Sequence, residues 1–421
     1  MGEGNNTEKR KNKKKKRGGS KRKMTAEQTL ALNSVNQWVN LCFDDKKEEK
    51  KDDFLPEMMK IACVSDKVVF ELHSHSICSD GFLSPSALVE KAHQNGVKVL
   101  ALTDHDTMSG IPEAVSAARK FGIKIIPGVE ISTLFTARDN SEEPVHVLAY
   151  YSSCGPSKYD EFDKFLANIR DGRYIRAKSM LSKLNKLKMP VKWEHVTRIA
   201  GSGVAPGRLH VARALVEAGH VEDLKQAFAR YLYDGGPAYS KGSEPCAEEA
   251  VQFIRKTGGV SVLAHPWALK NPIPVVSRLS AAGLHGIEAY RSDGKLAVYS
   301  DLADKYGLLK LGGSDYHARG GHTESPLGSV SLPVLAIHDF LNLARPIWRD
   351  SIRTTVEQYV SDPSDLNLRH ITRFAATTTC SGDIDKNKIN RCLSSWLTTE
   401  EMQHVEFKAA MSKLSDIAVD L

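Results

Sequence analysis

The stretch ELHSHSICSDGFLSPSALVEKAHQNGVKVLALTDHD, residues 71–106, decides the fold. It begins on the end of a β-rich apolar run (67–73), crosses a segment with helical apolar spacing, and closes on a second β-rich run (97–104). Strand, helix, strand in that order predicts two parallel strands joined by a crossover helix. Both strands end on ionisable side chains: His73 and His75 on the first, Asp104 and His105 on the second, with Asp80 between them. Alternating histidines at a strand end admit three readings: surface polarity, satisfied core residues, or ligands of a metal.

The rest of the chain repeats the beat. Further β-rich runs at 123–130, 146–151, 258–265, 285–290 and 308–315 bring the total to seven, most of them separated by helical segments. This predicts an α/β fold in which the seven strands form a closed or nearly closed β/α barrel over residues 67–332. The beat breaks between about 152 and 257, which reads as a helical insertion capping one barrel end. Residues 25–66 read as a short amphipathic helix with a charged linker. Residues 333–421 read as a helical C-terminal extension whose role is packing.

Composition narrows the class. A chain of 421 residues with 41% apolar content can bury a large core, and no window is apolar enough to span a membrane, so a soluble protein is expected. Seven scattered cysteines without a CxxC argue against a disulfide framework or a cysteine zinc site, and for a reducing compartment. The net charge of +7 is concentrated in residues 1–24, a basic tail read as disordered, with eleven Lys or Arg against two Glu; the remainder carries −2. Such a run reads as a nuclear-localisation signal or a nonspecific nucleic-acid contact, so an import receptor or nucleic acid is the partner expected for residues 9–23. The competing reading is a merely solvated tail. Nucleus or cytoplasm is the expected compartment; the tail lacks the apolar region of a secretory signal.

Position then argues for the metal. His73, His75, His105, Glu130, His265, Asp315 and His317 all fall at strand ends, and His146 opens the fourth run. In β/α barrels, functional side chains converge at the C-terminal rim of the strands. One histidine there is ordinary, but so many unpaired imidazoles would destabilise a buried rim unless a cation satisfied them. Imidazole with carboxylate suits Mn, Fe or Zn, and a carboxylate such as Glu130 can bridge two ions. The expected nucleophile is metal-activated water. No GxSxG, GxGxxG or GxxxxGK[ST] appears, so covalent acyl chemistry and a Gly-rich phosphate cradle are unsupported.

The blocks ELHSH, TDHD, GVE, AHP and SDYH, in that order, closely resemble the PHP family, named for polymerase and histidinol phosphatase. GRLHVARALVEAGHV and AFARYLYDGGPAY are similar to its subgroup of 3′,5′-nucleoside bisphosphate phosphatases and 5′→3′ exoribonucleases acting on short RNA. The resemblance implies a distorted seven-stranded barrel with two or three divalent ions. It assigns His73, His75, Glu130 and Asp315 to the first ion, Glu130, His146 and His265 to the second, and Asp80, His105 and His317 to the third. His73, His75, Glu130, Asp315 and His317 make up the expected catalytic core. Asp104 and Asp106 are expected to orient His105 or cap a loop.

A phosphorylated substrate needs basic donors beside the metals, and Arg suits it through bidentate geometry. Arg170, Arg173 and Arg176 recur at every third position of one helical segment, and Arg208 and His210 sit in GRLH. Arg208, His210 and one of Arg173 or Arg176 are expected to bind substrate phosphate, with Tyr239 touching substrate or packing. The expectation is a metal-dependent phosphoesterase acting on nucleotides or short RNA. Alternatives are a histidinol-phosphate-type phosphatase, an amidohydrolase, or a non-catalytic RNA-binding scaffold.

Overall fold

A computed structural model describes residues 24–41, 68–201, 203–294, 297–320, 324–375 and 386–417. The basic tail and the charged linker lie outside them. Seven strands form one sheet in sequence order: β1 (Val69–Glu71), β2 (Val97–Leu102), β3 (Lys124–Thr136), β4 (Glu142–Tyr150), β5 (Val260–Leu263), β6 (Gly286–Glu288) and β7 (Leu309–Leu311). The sheet curls until its ends meet. Just past β1 and β7, His75 N–H donates to the Tyr316 carbonyl at 2.9 Å, within a parallel bridge between Ser74 and Tyr316.

One expectation is corrected. β4 runs antiparallel to both β3 and β5, whereas β1–β2, β2–β3, β5–β6 and β6–β7 are parallel. Only five residues (137–141) join β3 to β4, too few for a crossover and enough for a hairpin. The reversal matters for the site. It brings the first half of β4, with His146, to the rim where the parallel strands end.

Fifteen α-helices complete the described chain. α1 (Ala26–Asn40) precedes the barrel, and α2 (Pro85–Gln94) and α3 (Ile111–Phe121) are crossovers. α2 starts where the Ser84 side chain accepts the Ala87 N–H with Pro85 in the first turn; α3 stops at Gly122, whose φ of 63° ends the helix. α4 (Tyr159–Lys186), α5 (Trp193–Ala200), α6 (Arg208–Glu217) and α7 (Leu224–Ala227), with a π-helical turn at Phe228–Leu232, lie between β4 and β5. α8 (Ala247–Lys256), α9 (Pro272–Ala282) and α10 (Ala297–Tyr306) then pack along β5–β7. α11 (Val334–Ser361), α12 (Asp365–Thr372), α13 (Lys386–Ser394), α14 (Thr399–Met402) and α15 (Val405–Ile417) close the chain. No described helix is long and apolar enough to cross a membrane.

Strand periodicity sorts the apolar residues into layers. Leu100, Leu102, Val129, Ile131, Val147 and Leu263 face α2, α3, α8 and α9 on the outside. Val99, Ala101, Ile126, Leu148, Tyr150, Val260 and Val262 occupy the alternate positions, facing a second core with α1, α11 and the helices after it. The helices between β4 and β5 have a core of their own, including Met180, Leu184, Val211 and Leu215.

Candidate metal centre and substrate cavities

Glu130 shares its face of β3 with Ile126, and His146 shares its face of β4 with Leu148 and Tyr150. Lys124 starts the β3 row at the sealed end, its Nζ donating to the Trp38 and Ser395 carbonyls; beyond it the row is apolar and becomes ionisable again at the rim. There Glu130, 1% exposed, stands among five imidazoles. Its Oε2 lies 3.2 Å from His73 Nε2, 3.1 Å from His75 Nε2 and 3.3 Å from His105 Nδ1. Its Oε1 lies 2.9 Å from both His146 Nδ1 and His265 Nε2. Asp315 Oδ1 is 3.3 Å from His73 Nε2 and 3.2 Å from His75 Nε2, and Asp80 Oδ1 is 3.2 Å from His317 Nε2.

The spacings fit a cation. Ligands about 2.0–2.1 Å from an ion stand about 3.3 Å apart in a tetrahedron and about 2.9 Å apart in an octahedron. Three groups converge closely enough: His73, His75, Glu130 and Asp315; His75, Asp80, His105 and His317; and His105, Glu130 and His146. His73 and His75 bring their Nε2 atoms within 3.1 Å, and His146 Nδ1 is 3.3 Å from His265 Nε2. Facing lone pairs of this kind need a proton or a metal between them. His105 Nδ1 and Asp80 Oδ1 are buried without a well-formed hydrogen bond, which suits atoms reserved for coordination.

The electrostatics show a rim whose carboxylates draw positive charge. Burial pushes His73 and His75 toward the neutral form, but the carboxylates outweigh it. Glu288, Asp315 and Glu130 hold His73 well above the usual imidazole range, and Asp315 and Glu130 raise His75 to about 10. Burial raises Glu130, yet His105, His73 and His146 hold it well below the ordinary carboxylate range. For His105 burial prevails over Glu130 and Asp80, and the ring is driven well below its usual value.

Neighbouring side chains fix the ligands. Glu288 on β6 places Oε1 3.2 Å from His73 Nδ1 and accepts the His265 N–H at 2.7 Å through Oε2. With an ion in place of the proton on Nε2, His73 would donate to Glu288 from Nδ1 and turn its Nε2 lone pair to the cluster. Glu71 accepts from Ser314 N at 2.8 Å and Gly328 N at 2.7 Å, tying β1 to the segment after β7. Gly313 permits that approach, since a Cβ there would fall 2.5 Å from the His73 nitrogen. Sequence reasoning missed Glu71 and Glu288. The available signal was a carboxylate inside an otherwise apolar run, in VFEL and GIEAY. Asp104 accepts from Ser76 N, Ser76 Oγ and Ser79 Oγ, each at 2.7 Å, and so shapes the turn carrying Asp80. Backbone strain gathers here too: Asp106, His265, Asp315 and Ala318 take φ of 55°, 28°, 52° and 60°.

The arginines converge beside the cluster. One cavity of about 210 Å³ touches Asp80, His105 and His146 and is lined by Arg173, Arg176, Arg208, Tyr239 and Arg319. Each of the first three is oriented by a carboxylate: Arg173 by Asp106 at 2.6 Å, Arg176 by Glu244 and Arg208 by Asp234. A guanidinium has five N–H donors, so one such partner leaves others for a phosphate. The Arg208 guanidinium also lies 5.8 Å over the Tyr239 ring. Arg170 donates to the Asp106 carbonyl at 2.8 Å and faces a neighbouring cavity, which it shares with Arg173 and His210. His210 is 2% exposed; its Nδ1 accepts the Gly207 N–H at 3.0 Å and the Ser79 carbonyl lies in hydrogen-bonding reach of the ring. Those contacts tie α6 to the Asp80 turn, while the residue also lines the cavity beside Arg170 and Arg173.

The sequence signature of the PHP domain matches residues 71–232. The chain is 32% identical over 293 residues to the 3′,5′-nucleoside bisphosphate phosphatase of Chromobacterium violaceum, covering 66% of this chain and 95% of that protein. It is 34% identical over 260 residues to the 5′-3′ exoribonuclease Rnm of Salmonella typhimurium, covering 59% and 85% respectively. Among solved structures, a protein from Bifidobacterium adolescentis described as a candidate metal-dependent phosphoesterase superposes with a TM-score of 0.57 at 28% identity, over 65% of this chain and 95% of that one. A Chromobacterium violaceum protein described as an amidohydrolase, with bound sulfate, superposes with a TM-score of 0.57 at 30% identity, over 68% and 97%.

Proposed function

The chain belongs to the PHP-domain family, and from that premise we propose that it is a metal-dependent phosphoesterase hydrolysing phosphate esters of nucleotides or short RNA. The observation that carries the reading is a juxtaposition. A cluster of imidazoles and carboxylates spaced for divalent cations adjoins a cavity lined by Arg173, Arg176 and Arg208. His73, His75, Glu130 and Asp315 would hold one ion, with Asp80, His105 and His317 or His146 and His265 completing others. When bound, such ions activate water and neutralise charge on a phosphoryl oxygen and the leaving oxygen. The chain's own residues do the rest. Glu288 holds the His73 tautomer, Asp104 sets the Asp80 turn, and Asp106 aims Arg173 toward the cavity.

A scaffold that kept the barrel only for shape leaves the spacing of these ligands unexplained. The test is phosphate release from adenosine 3′,5′-bisphosphate and hydrolysis of a 5′-phosphorylated oligoribonucleotide with Mn²⁺, for wild type and Glu130→Ala. Turnover by wild type and its loss in the variant are expected; an inert, metal-loaded wild type that still binds RNA would favour the scaffold. The basic run at residues 9–23 is proposed to act in nuclear import or nucleic-acid contact. Deleting it should change distribution in the cell and spare catalysis.

A further inference from the structure

A second cavity, about 310 Å³, adjoins a different edge of the cluster, at Asp315 and His317. Its walls come from the rim after β5, β6 and β7: Trp267, Arg291, Ser292 and Arg319. The Arg291 guanidinium lies 4.4 Å over the Trp267 ring and is steadied by Asp293 at 3.1 Å. Tyr299 packs its ring against Trp267 with centroids 6.1 Å apart, edge to face. Ser292 and Ser325 hydroxyls share a hydrogen bond of 2.6 Å at the wall. Arg319 lines both this cavity and the arginine-lined one, and its guanidinium stands 3.5 Å from Asp80. The two cavities therefore meet at the cluster, with one cation common to both.

Trp267 and Arg291 make a fixed planar platform, and Arg319 supplies positive charge beside it. Planar aromatic and guanidinium surfaces with a neighbouring cation are what unpaired nucleotides stack on. The volume matches the small end of ligand pockets, enough for one nucleotide unit. We propose that this cavity binds the nucleotide on the 3′ side of the scissile phosphate in an RNA chain. This rests on the phosphoesterase reading above and deepens it.

On this proposal both substrate classes undergo one reaction. The 5′-phosphate of the reacting nucleotide occupies the cavity of Arg173, Arg176 and Arg208, and the phosphate on its 3′ oxygen sits at the cluster. Water forms a new bond to phosphorus, the P–O3′ bond breaks, and the 3′ oxygen leaves with a proton. With a bisphosphate mononucleotide the product is inorganic phosphate and the Trp267 cavity takes no nucleotide. With RNA the phosphate stays on the 5′ oxygen of the next nucleotide, which Trp267, Arg291 and Arg319 hold.

The experiment compares kcat/KM, with Mn²⁺, for adenosine 3′,5′-bisphosphate and for a short 5′-phosphorylated oligoribonucleotide. Wild type, Trp267→Ala, Trp267→Phe and Arg291→Ala are measured in parallel. The ratio of oligonucleotide to mononucleotide kcat/KM should fall about tenfold in Trp267→Ala and recover in Trp267→Phe. Arg291→Ala should lower the ratio in the same direction, which keeps the test open should Trp267→Ala fold poorly. An unchanged ratio, with both substrates affected equally, overturns the subsite and leaves the phosphoesterase reading standing. A wild type inert on both substrates overturns the two together.

Discussion

The concave face of the sheet is one surface with two ends. On β4, Leu148 and Tyr150 lie in the sealed core, while His146, on the same face, reaches the ligand cluster. On β3 the same change occurs between Ile126 and Glu130. At the sealed end, Trp348 from α11 is 1% exposed, donates from Nε1 to the Tyr150 carbonyl at 3.1 Å, and packs against Trp38, Phe340 and Trp396 with ring centroids 5.2–6.0 Å apart. Its polar atom is satisfied and its surface is enclosed. At the rim, ring nitrogens of His73 and His75 crowd to 3.1 Å and those of His146 and His265 to 3.3 Å, and His265 and Asp315 hold strained φ values. Packing is concentrated at one end, and strain and crowded charge at the other, where the side chains are spaced for a cation.

The comparison predicts opposite phenotypes for the two ends. The largest effect is expected for Glu130→Gln, which keeps the shape and removes the charge that five imidazoles share. Its kcat should fall by about 10³-fold or more, equivalent to about 4 kcal/mol of transition-state stabilisation, with reduced metal content and a cooperative thermal transition retained. Trp348→Ala should do the reverse. It should cost about 3–5 kcal/mol of stability in chemical denaturation, with kcat per folded molecule unchanged at low temperature. If Trp348→Ala abolished turnover in folded protein, the division between the ends would fail.

Glu288→Gln sharpens the rim side, because Glu288 touches two ligand residues without itself joining the three groups. Metal affinity should drop about 10–100-fold, read by metal titration, while stability changes little. The smallest effect belongs to His285, beside the start of β6 at the end away from the rim. Its Nδ1 accepts the Ser261 N–H at 3.0 Å, and burial, with Arg255 nearby, lowers its pKa from 6.5 to about 4. Because the folded value lies below the unfolded one, the unfolded chain takes the proton first. Stability is therefore full above pH 6.5 and is lost as pH falls toward 4. With the ring partly exposed, the contribution is about 1–2 kcal/mol. His285→Gln should flatten the pH dependence of unfolding in that window and leave turnover at neutral pH intact.

Local order explains what was legible. Seven β-rich runs and their crossover helices were readable because alternation and helical spacing are properties of neighbouring residues. The direction of β4 was not, since alternation is the same read either way; only the five residues between Thr136 and Glu142 hinted at a hairpin. The residues of the cluster stood out as histidines and carboxylates at strand ends. Glu71 and Glu288 did not, because a lone carboxylate in an apolar run has no partner visible in sequence. His210 had the right composition for phosphate binding, yet its burial and the contacts of its ring could be seen only after folding.

The strand and helix beat, the histidines and carboxylates at strand ends, and the family were legible in the amino-acid order, because each is written in residue chemistry and short spacing. Only the folded chain decided which nitrogen faces which oxygen, that Glu71 and Glu288 brace the rim, and that two cavities meet at Arg319. Those facts depend on residues up to 257 positions apart, as between Glu71 and Gly328, brought together only when an antiparallel strand and a closing bridge turn the sheet on itself.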